Sequence, residues 1–240
     1  MEEVDLTEWA RGLGGSRALR GRLARPEGEG PWPGVVMIHE VFGLDDVMTR
    51  QARRLAALGY ATLALDLYSD GGARRCLTTI VRAVASGTGR PFADVEAGRR
   101  WLAEAPWCTG RVGVLGFCMG GAFALLCAPR GFDVAAVNYG PLPKDLDAAL
   151  AGACPIVASY GGRDRSLRGA AARLGAALER AGVECDVAEY PGAGHSFLND
   201  AMAGPALVRP VLRVAGVGPD PEASSDAWAR IDAFFRSHLG

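Results

Sequence analysis

Apolar runs and amphipathic stretches alternate along this chain. The run 34–40, GVVMIHE, is apolar almost throughout and follows Pro31 and Pro33, which predicts a buried strand. The next stretch, 44–59, places Val47, Leu55 and Leu58 on one side and ends at Gly59, which predicts a helix with a glycine stop. Strands are expected at 60–67, 111–117, 132–140, 154–162 and 183–192. Helices are expected at 119–128, at 166–182 and at 221–239. In the second of these, Leu167, Ala170, Ala171, Leu174, Ala177 and Leu178 recur at helical spacing. Strands that are apolar on both sides and separated by helices imply a mostly parallel sheet with helices on both faces, one α/β domain over 1–240.

Two segments break the alternation. Residues 68–110 are too long for a simple crossover and are expected to hold two helices, 72–86 and 91–104, as a partial lid over one end of the sheet. Residues 199–220 are rich in Gly and Pro and are expected to be irregular.

Composition narrows the chemistry. The chain has 240 residues, 49% of them hydrophobic, enough for a sizeable core. A net charge of −1 argues against nucleic acid or an anionic membrane as partner. Of the 26 basic residues only Lys144 is a lysine, so no single arginine carries weight as a binding residue, and Schiff-base chemistry has little to work with. The six cysteines, at 76, 108, 118, 127, 154 and 185, form no C-x-x-C pair, which fits reduced thiols in the cytoplasm. The acidic start, MEEVDLTEWARGLGG, lacks the apolar stretch of a signal peptide, and no apolar run is long enough to span a membrane. HEVFG, at 39–43, is not a zinc H-E-x-x-H because position 43 is glycine. There is no P-loop and no dinucleotide glycine turn, so neither metal nor cofactor is expected.

The chemistry concentrates at Gly116-Phe117-Cys118-Met119-Gly120. This G-x-C-x-G follows an expected strand and precedes an expected helix, as a nucleophile elbow does. The sulfur would feel the positive end of the helix, and the amide of Met119 would face an oxyanion. A structural buried cysteine would explain neither the glycines nor the location. A nucleophile of this kind is followed in the chain by an acid and then a histidine. Asp164 and His195 come in that order, each just past the end of an expected strand, where open α/β sheets place their sites. His238 falls in the closing helix instead. Glu40 ends the first apolar strand, and the loop after it supplies the second oxyanion amide in such folds, here Val41.

The segments IHEVFG, ALDLYS, GFCMGG, NYG, YGGRD and GHSF, in this order over roughly 16–239, resemble the dienelactone hydrolase family of α/β-hydrolases. The resemblance implies a cofactor-independent Cys118–Asp164–His195 triad and a glutamate, Glu40, beside the thiol that helps generate the thiolate. It implies that Tyr139 lies near the substrate pocket. Where dienelactone-cleaving members carry a carboxylate-gripping arginine, four residues after the histidine, this chain has Asn199, which implies a substrate with less need of a charged anchor there. A second substrate arginine would fall among Arg74, Arg75 and Arg82. The expected activity is hydrolysis of a lactone or small carboxylic ester. The alternatives are thioester cleavage or acyl transfer on the same elbow, and a non-catalytic thiol redox sensor. Oligomeric state is not encoded in any of these features.

Overall fold

A computed structural model describes residues 1–240. The strands are β1 (Glu2–Asp5), β2 (Arg20–Ala24), β3 (Trp32–Ile38), β4 (Ala61–Asp66), β5 (Cys108–Phe117), β6 (Val134–Asn138), β7 (Ile156–Gly161) and β8 (Cys185–Tyr190). The helices are α1 (Thr7–Gly12), α2 (Asp46–Ala57), α3 (Ala73–Ser86), α4 (Arg90–Ala103), α5 (Met119–Cys127), α6 (Leu146–Leu150), α7 (Ala170–Ala181), α8 (Arg209–Val214) and α9 (Pro221–Leu239). The strands form a single sheet in the order β1-β2-β4-β3-β5-β6-β7-β8. All neighbours from β4 to β8 run parallel, and β1 and β2 add an antiparallel edge. With helices on both faces, this is the mostly parallel sheet expected from the apolar runs, and it fits the α/β-hydrolase fold that the resemblance implies.

Alternation along the strands divides the core into two layers. Val36 and Ile38 of β3 face a layer shared with Phe123 of α5, Val95 of α4 and Leu174 of α7. Val35 and Met37 face the opposite layer, with Leu55 of α2 and Trp228, Ile231 and Phe235 of α9. Helix starts follow their caps: Asp45 accepts from the Met48 amide at 3.0 Å, and Asp220 from that of Ala223 at 3.2 Å, with Pro221 in the first turn.

Several details differ from the expected elements. The edge strands β1 and β2 and the helices α1 and α6 are too short to register as a pattern. The expected helix 166–182 is a 3-10 turn, Arg165–Leu167, and then α7, separated by Gly169 at φ 69°. Between Tyr68 and Gly110 the two expected helices are present as α3 and α4. Helix α4 packs on β3 and β5 as part of the layer covering the sheet, and α3 packs on α4 and α5. Ser16 ties the N-terminal segment to α4, its amide and hydroxyl both donating to the buried Asp94 at 2.6 Å. The segment expected to be wholly irregular holds α8, none of whose residues is buried. No helix is long and apolar enough to cross a membrane.

The register places the ends of β3, β5, β6 and β7 side by side: Ile38 pairs with Gly116, Phe117 with Asn138, and Asn138 with Ser159. Residues just past those ends therefore share one edge of the sheet.

Candidate active site

That edge gathers Glu40, Cys118, Tyr139, Asp164 and His195. Cys118 has φ 53° and ψ −115°, a conformation that costs a non-glycine residue about 1–3 kcal/mol. The flanking glycines make it possible by leaving out side chains. A Cβ at Gly116 would run into the Gly120 carbonyl, and one at Gly120 into the carbonyl of Ile38. Neighbouring strands clamp the turn: the Cys118 amide donates to the Asn138 carbonyl at 3.0 Å, and Asn138 Nδ2 donates to the Gly116 carbonyl at 3.2 Å. The chain's three non-glycine residues with positive φ, Cys118, Tyr139 and Ser196, all belong to this edge. Backbone strain of this kind concentrates where function demands it.

His195 Nδ1 hydrogen-bonds Asp164 Oδ2 at 2.5 Å, and the Cys118 thiol lies close enough to the ring to influence its protonation. Asp164 Oδ1 is occupied by the Ser166 amide at 3.0 Å and hydroxyl at 2.6 Å. Burial works against the charge on Asp164, but the bonds from His195 and Ser166 outweigh it and hold the carboxyl below the usual aspartate range. Burial likewise opposes an imidazolium, yet the hydrogen bonds and charges of Asp164 and Cys118 prevail and push His195 up to about 10. The imidazolium form of His195 is therefore favoured at neutral pH. His195 thus stands between Asp164, which it hydrogen-bonds, and Cys118.

Glu40 is buried, at 2% exposure. Its Oε1 accepts from Ser196 Oγ at 3.0 Å and from Asn199 Nδ2 at 3.2 Å, and no hydrogen bond joins it to Cys118. Burial raises its carboxyl above the usual range despite these donors and the charge of His195. The amide of Val41, next in the chain, has no partner within the protein. Met119 opens α5, so its amide has no intrahelical acceptor. Tyr68 touches both residues: its hydroxyl donates to the Val41 carbonyl at 2.8 Å and lies 4.0 Å from the Met119 sulfur. His39 anchors the same loop, with Nδ1 donating to the Glu40 carbonyl at 2.7 Å and Nε2 accepting from the Leu67 amide at 3.2 Å. Burial depresses its pKa, so its ring is neutral.

The residues expected near the substrate take the following places. Tyr139 is fully buried behind His195, its ring 5.1 Å from the imidazole, and its hydroxyl makes no hydrogen bond of good geometry although Glu40 lies close by. Asn199 is buried and spent on Glu40. Both side chains are buried beside Glu40 and His195. Arg74, Arg75 and Arg82 are exposed on α3, and none makes a hydrogen bond or ion pair with a site residue. Tyr68, Ser196 and His39 were not singled out in the sequence. The only signals for them there are their positions beside Leu67, His195 and Glu40.

A cleft of about 690 Å³ opens beside His195 and Asp164. Another, of about 920 Å³, lies at the far end of the strands near Trp32 and Gly59 and holds none of these residues. No group of three or more His, Cys, Asp and Glu side chains converges in a way that would hold a metal ion.

Comparison with known proteins agrees with the geometry. The dienelactone hydrolase family profile matches residues 19–239. A Methylorubrum extorquens protein that carries the name "Putative carboxymethylenebutenolidase" is 31% identical over 233 residues, covering 90% of this chain and 75% of the relative. A carboxymethylenebutenolidase of Pseudomonas putida is 29% identical over 197 residues, covering 77% of this chain and 83% of the relative. Among solved structures, a dienelactone hydrolase-like promiscuous phosphotriesterase from metagenomic libraries superposes with a TM-score of 0.82 at 25% identity, covering 100% of this chain and 98% of that one. With a family match over nearly its whole length and the fold to accompany it, the chain belongs to the dienelactone hydrolase family and is a hydrolase of that kind.

Proposed function

We propose that this protein cleaves a lactone or small carboxylic ester through an acyl-enzyme on Cys118. The observation that carries the reading is a single juxtaposition: a cysteine on a strained elbow, beside a histidine that a buried aspartate holds. Cys118 Sγ attacks the carbonyl carbon, and the oxygen becomes an oxyanion between the amides of Val41 and Met119. The C–O bond then breaks, and His195 gives its proton to the departing alkoxide. Water attacks the resulting thioester, with the now neutral His195 taking its proton. Collapse releases the carboxylic acid and the sulfur. Asp164 fixes the ring so that the other nitrogen faces the sulfur. Glu40 tunes the thiol from its place behind the oxyanion loop.

A redox-sensing role finds less support. Cys127, the nearest cysteine in the chain, is buried on α5, and burial pushes its thiol up to about 12, a poor resolving partner. The test is a panel of lactones, neutral esters, thioesters and one phosphotriester, the last because a structurally similar protein is a promiscuous phosphotriesterase. Wild type should hydrolyse lactones or esters, and Cys118→Ala should lose that turnover. Acyl products formed with added amines or alcohols in place of water would point to acyl transfer instead.

A further inference from the structure

Glu40 and Val41 share one peptide unit, and it is trans. In a trans peptide the carbonyl and the N–H point in opposite directions, so whatever holds the Glu40 carbonyl also aims the Val41 amide. Two donors hold that carbonyl: His39 Nδ1 at 2.7 Å and the Gly43 amide at 3.0 Å. The Val41 amide, on the other side of the same plane, is left without a partner in the protein. The Gly43 bond only closes the turn on itself. His39 is fully buried, with its ring 4.9 Å from that of Tyr68, and it ties the turn to a different strand. Its Nε2 meets the amide of Leu67, the residue directly after β4, and β4 is fixed in the sheet by the pairing of Leu65 with Ile38.

The partners of the ring fix where its proton sits. The Leu67 amide can only donate, so Nε2, 3.2 Å away, must present its lone pair. The single proton of the neutral ring is then on Nδ1, facing the Glu40 carbonyl. Asp66 Oδ1 stands 3.9 Å from Nε2, too far for a hydrogen bond that would claim a proton there. We propose that His39 is the positioning residue of the oxyanion hole: locked in one tautomer by Leu67, it donates to the Glu40 carbonyl and thereby aims the Val41 amide at the oxygen of the substrate carbonyl. Two donors on one carbonyl also polarise the peptide, which strengthens its N–H as a donor in turn. The inference rests on the ester-hydrolase reading, in which Val41 supplies one of the two oxyanion amides.

Two substitutions separate the ring's two bonds. In His39→Asn the side-chain NH2 falls where Nδ1 stood and can still donate to the Glu40 carbonyl, while the Leu67 amide loses its acceptor. In His39→Gln the amide oxygen reaches the Nε2 position and can accept from Leu67, while the donor to Glu40 is lost. Removing an oxyanion donor outright costs roughly 10²–10³ in kcat, and mis-aiming one costs less. With phenyl acetate, His39→Gln should lower kcat about tenfold to a hundredfold with KM within about threefold. His39→Asn should be at least about fivefold faster than His39→Gln although its Tm is no higher, because it orphans a buried amide. Iodoacetamide alkylates Cys118 at a saturated carbon and forms no oxyanion, so its rate should stay within about twofold of wild type in both variants. A kcat for His39→Gln within about threefold of wild type, or activities that follow Tm instead of the donor, would overturn the assignment. So would alkylation slowed as much as ester cleavage, which would trace the defect to Glu40 and the thiol. Wild type alone gives a further check, whether or not the variants fold: the nitrogen NMR shifts of His39 should report a neutral ring protonated at Nδ1, and a proton on Nε2 would refute the lock. Cys118→Ala on the same ester tests the underlying reading separately. Turnover retained there refutes the nucleophile, whereas turnover lost there but unaffected by His39→Gln refutes only the positioning role.

Discussion

Replacing Asp164 with Asn tests how the triad is held, and the hydrogen bonds set the expected size of the effect. The carboxylate has two oxygens, and both accept. Oδ1 takes the Ser166 amide and hydroxyl, and Oδ2 takes His195 Nδ1 at 2.5 Å. An asparagine can keep only one of these arrangements. Its NH2 cannot replace Oδ1 without opposing the Ser166 N–H, so the amide oxygen stays there and the NH2 turns to His195. The ring must then accept at Nδ1 and carry its proton on the nitrogen facing Cys118, where it can no longer receive one. Asparagine caps a turn about as well as aspartate, so the fold should survive.

Two losses follow. Removing a charge-assisted hydrogen bond in this mostly buried position costs the imidazolium about 1.5–3 kcal/mol. That is about one to two pKa units off a histidine that otherwise titrates near 10. The wrong tautomer adds to this, and in a comparable triad the aspartate-to-asparagine change costs about 10⁴ in kcat. We expect kcat for a neutral ester to fall between about 10² and 10⁴, with KM changing by less than about threefold. The assay is steady-state hydrolysis of phenyl acetate from acidic to alkaline pH, with the His195 resonance followed by NMR. The sign is fixed by the raised pKa. In wild type the imidazolium persists through neutral pH and is lost as pH rises through about 10; in the variant it is lost at lower pH. A variant that keeps kcat within threefold and an unmoved His195 titration would refute this account of Asp164.

Three further predictions follow from the same contacts. Iodoacetamide should modify Cys118 first and abolish activity, followed by the exposed Cys185, whose loss leaves turnover intact, while Cys127 and Cys154, pushed up by burial to about 12, resist; this is read by peptide mass spectrometry. Tyr68→Phe removes the hydroxyl that steadies the Val41 carbonyl and should lower kcat about threefold to tenfold with little change in KM. Glu40→Gln should keep the fold, because an amide oxygen can still accept from Ser196 and Asn199, and should slow alkylation of Cys118 at neutral pH; an unchanged alkylation profile would make the glutamate a bystander.

Much of this site could be read in the sequence because its backbone demands are severe. Only glycine fits at 116 and 120, so G-x-C-x-G announces the elbow before any coordinate does. Asp164 and His195 were legible because a parallel sheet places successive strand ends on one edge. What the sequence hid was orientation. Asn199 and Tyr139 are near the chemistry, yet they turn into the protein, and nothing in a one-dimensional pattern distinguishes a residue lining a pocket from one backing it. The edge strands β1 and β2 were missed because they are short and lack the long apolar runs of the central strands. Helix α8 was missed because it buries none.

The most direct test of the central claim is intact-protein and peptide mass spectrometry after rapid acid quench during turnover of a slowly deacylating aryl ester. The account predicts one acyl group per chain, carried on the peptide that contains Cys118, together with a burst of one equivalent of phenol that disappears in Cys118→Ala. An acyl group on another residue, or ester turnover that continues undiminished in Cys118→Ala with no burst, would contradict it.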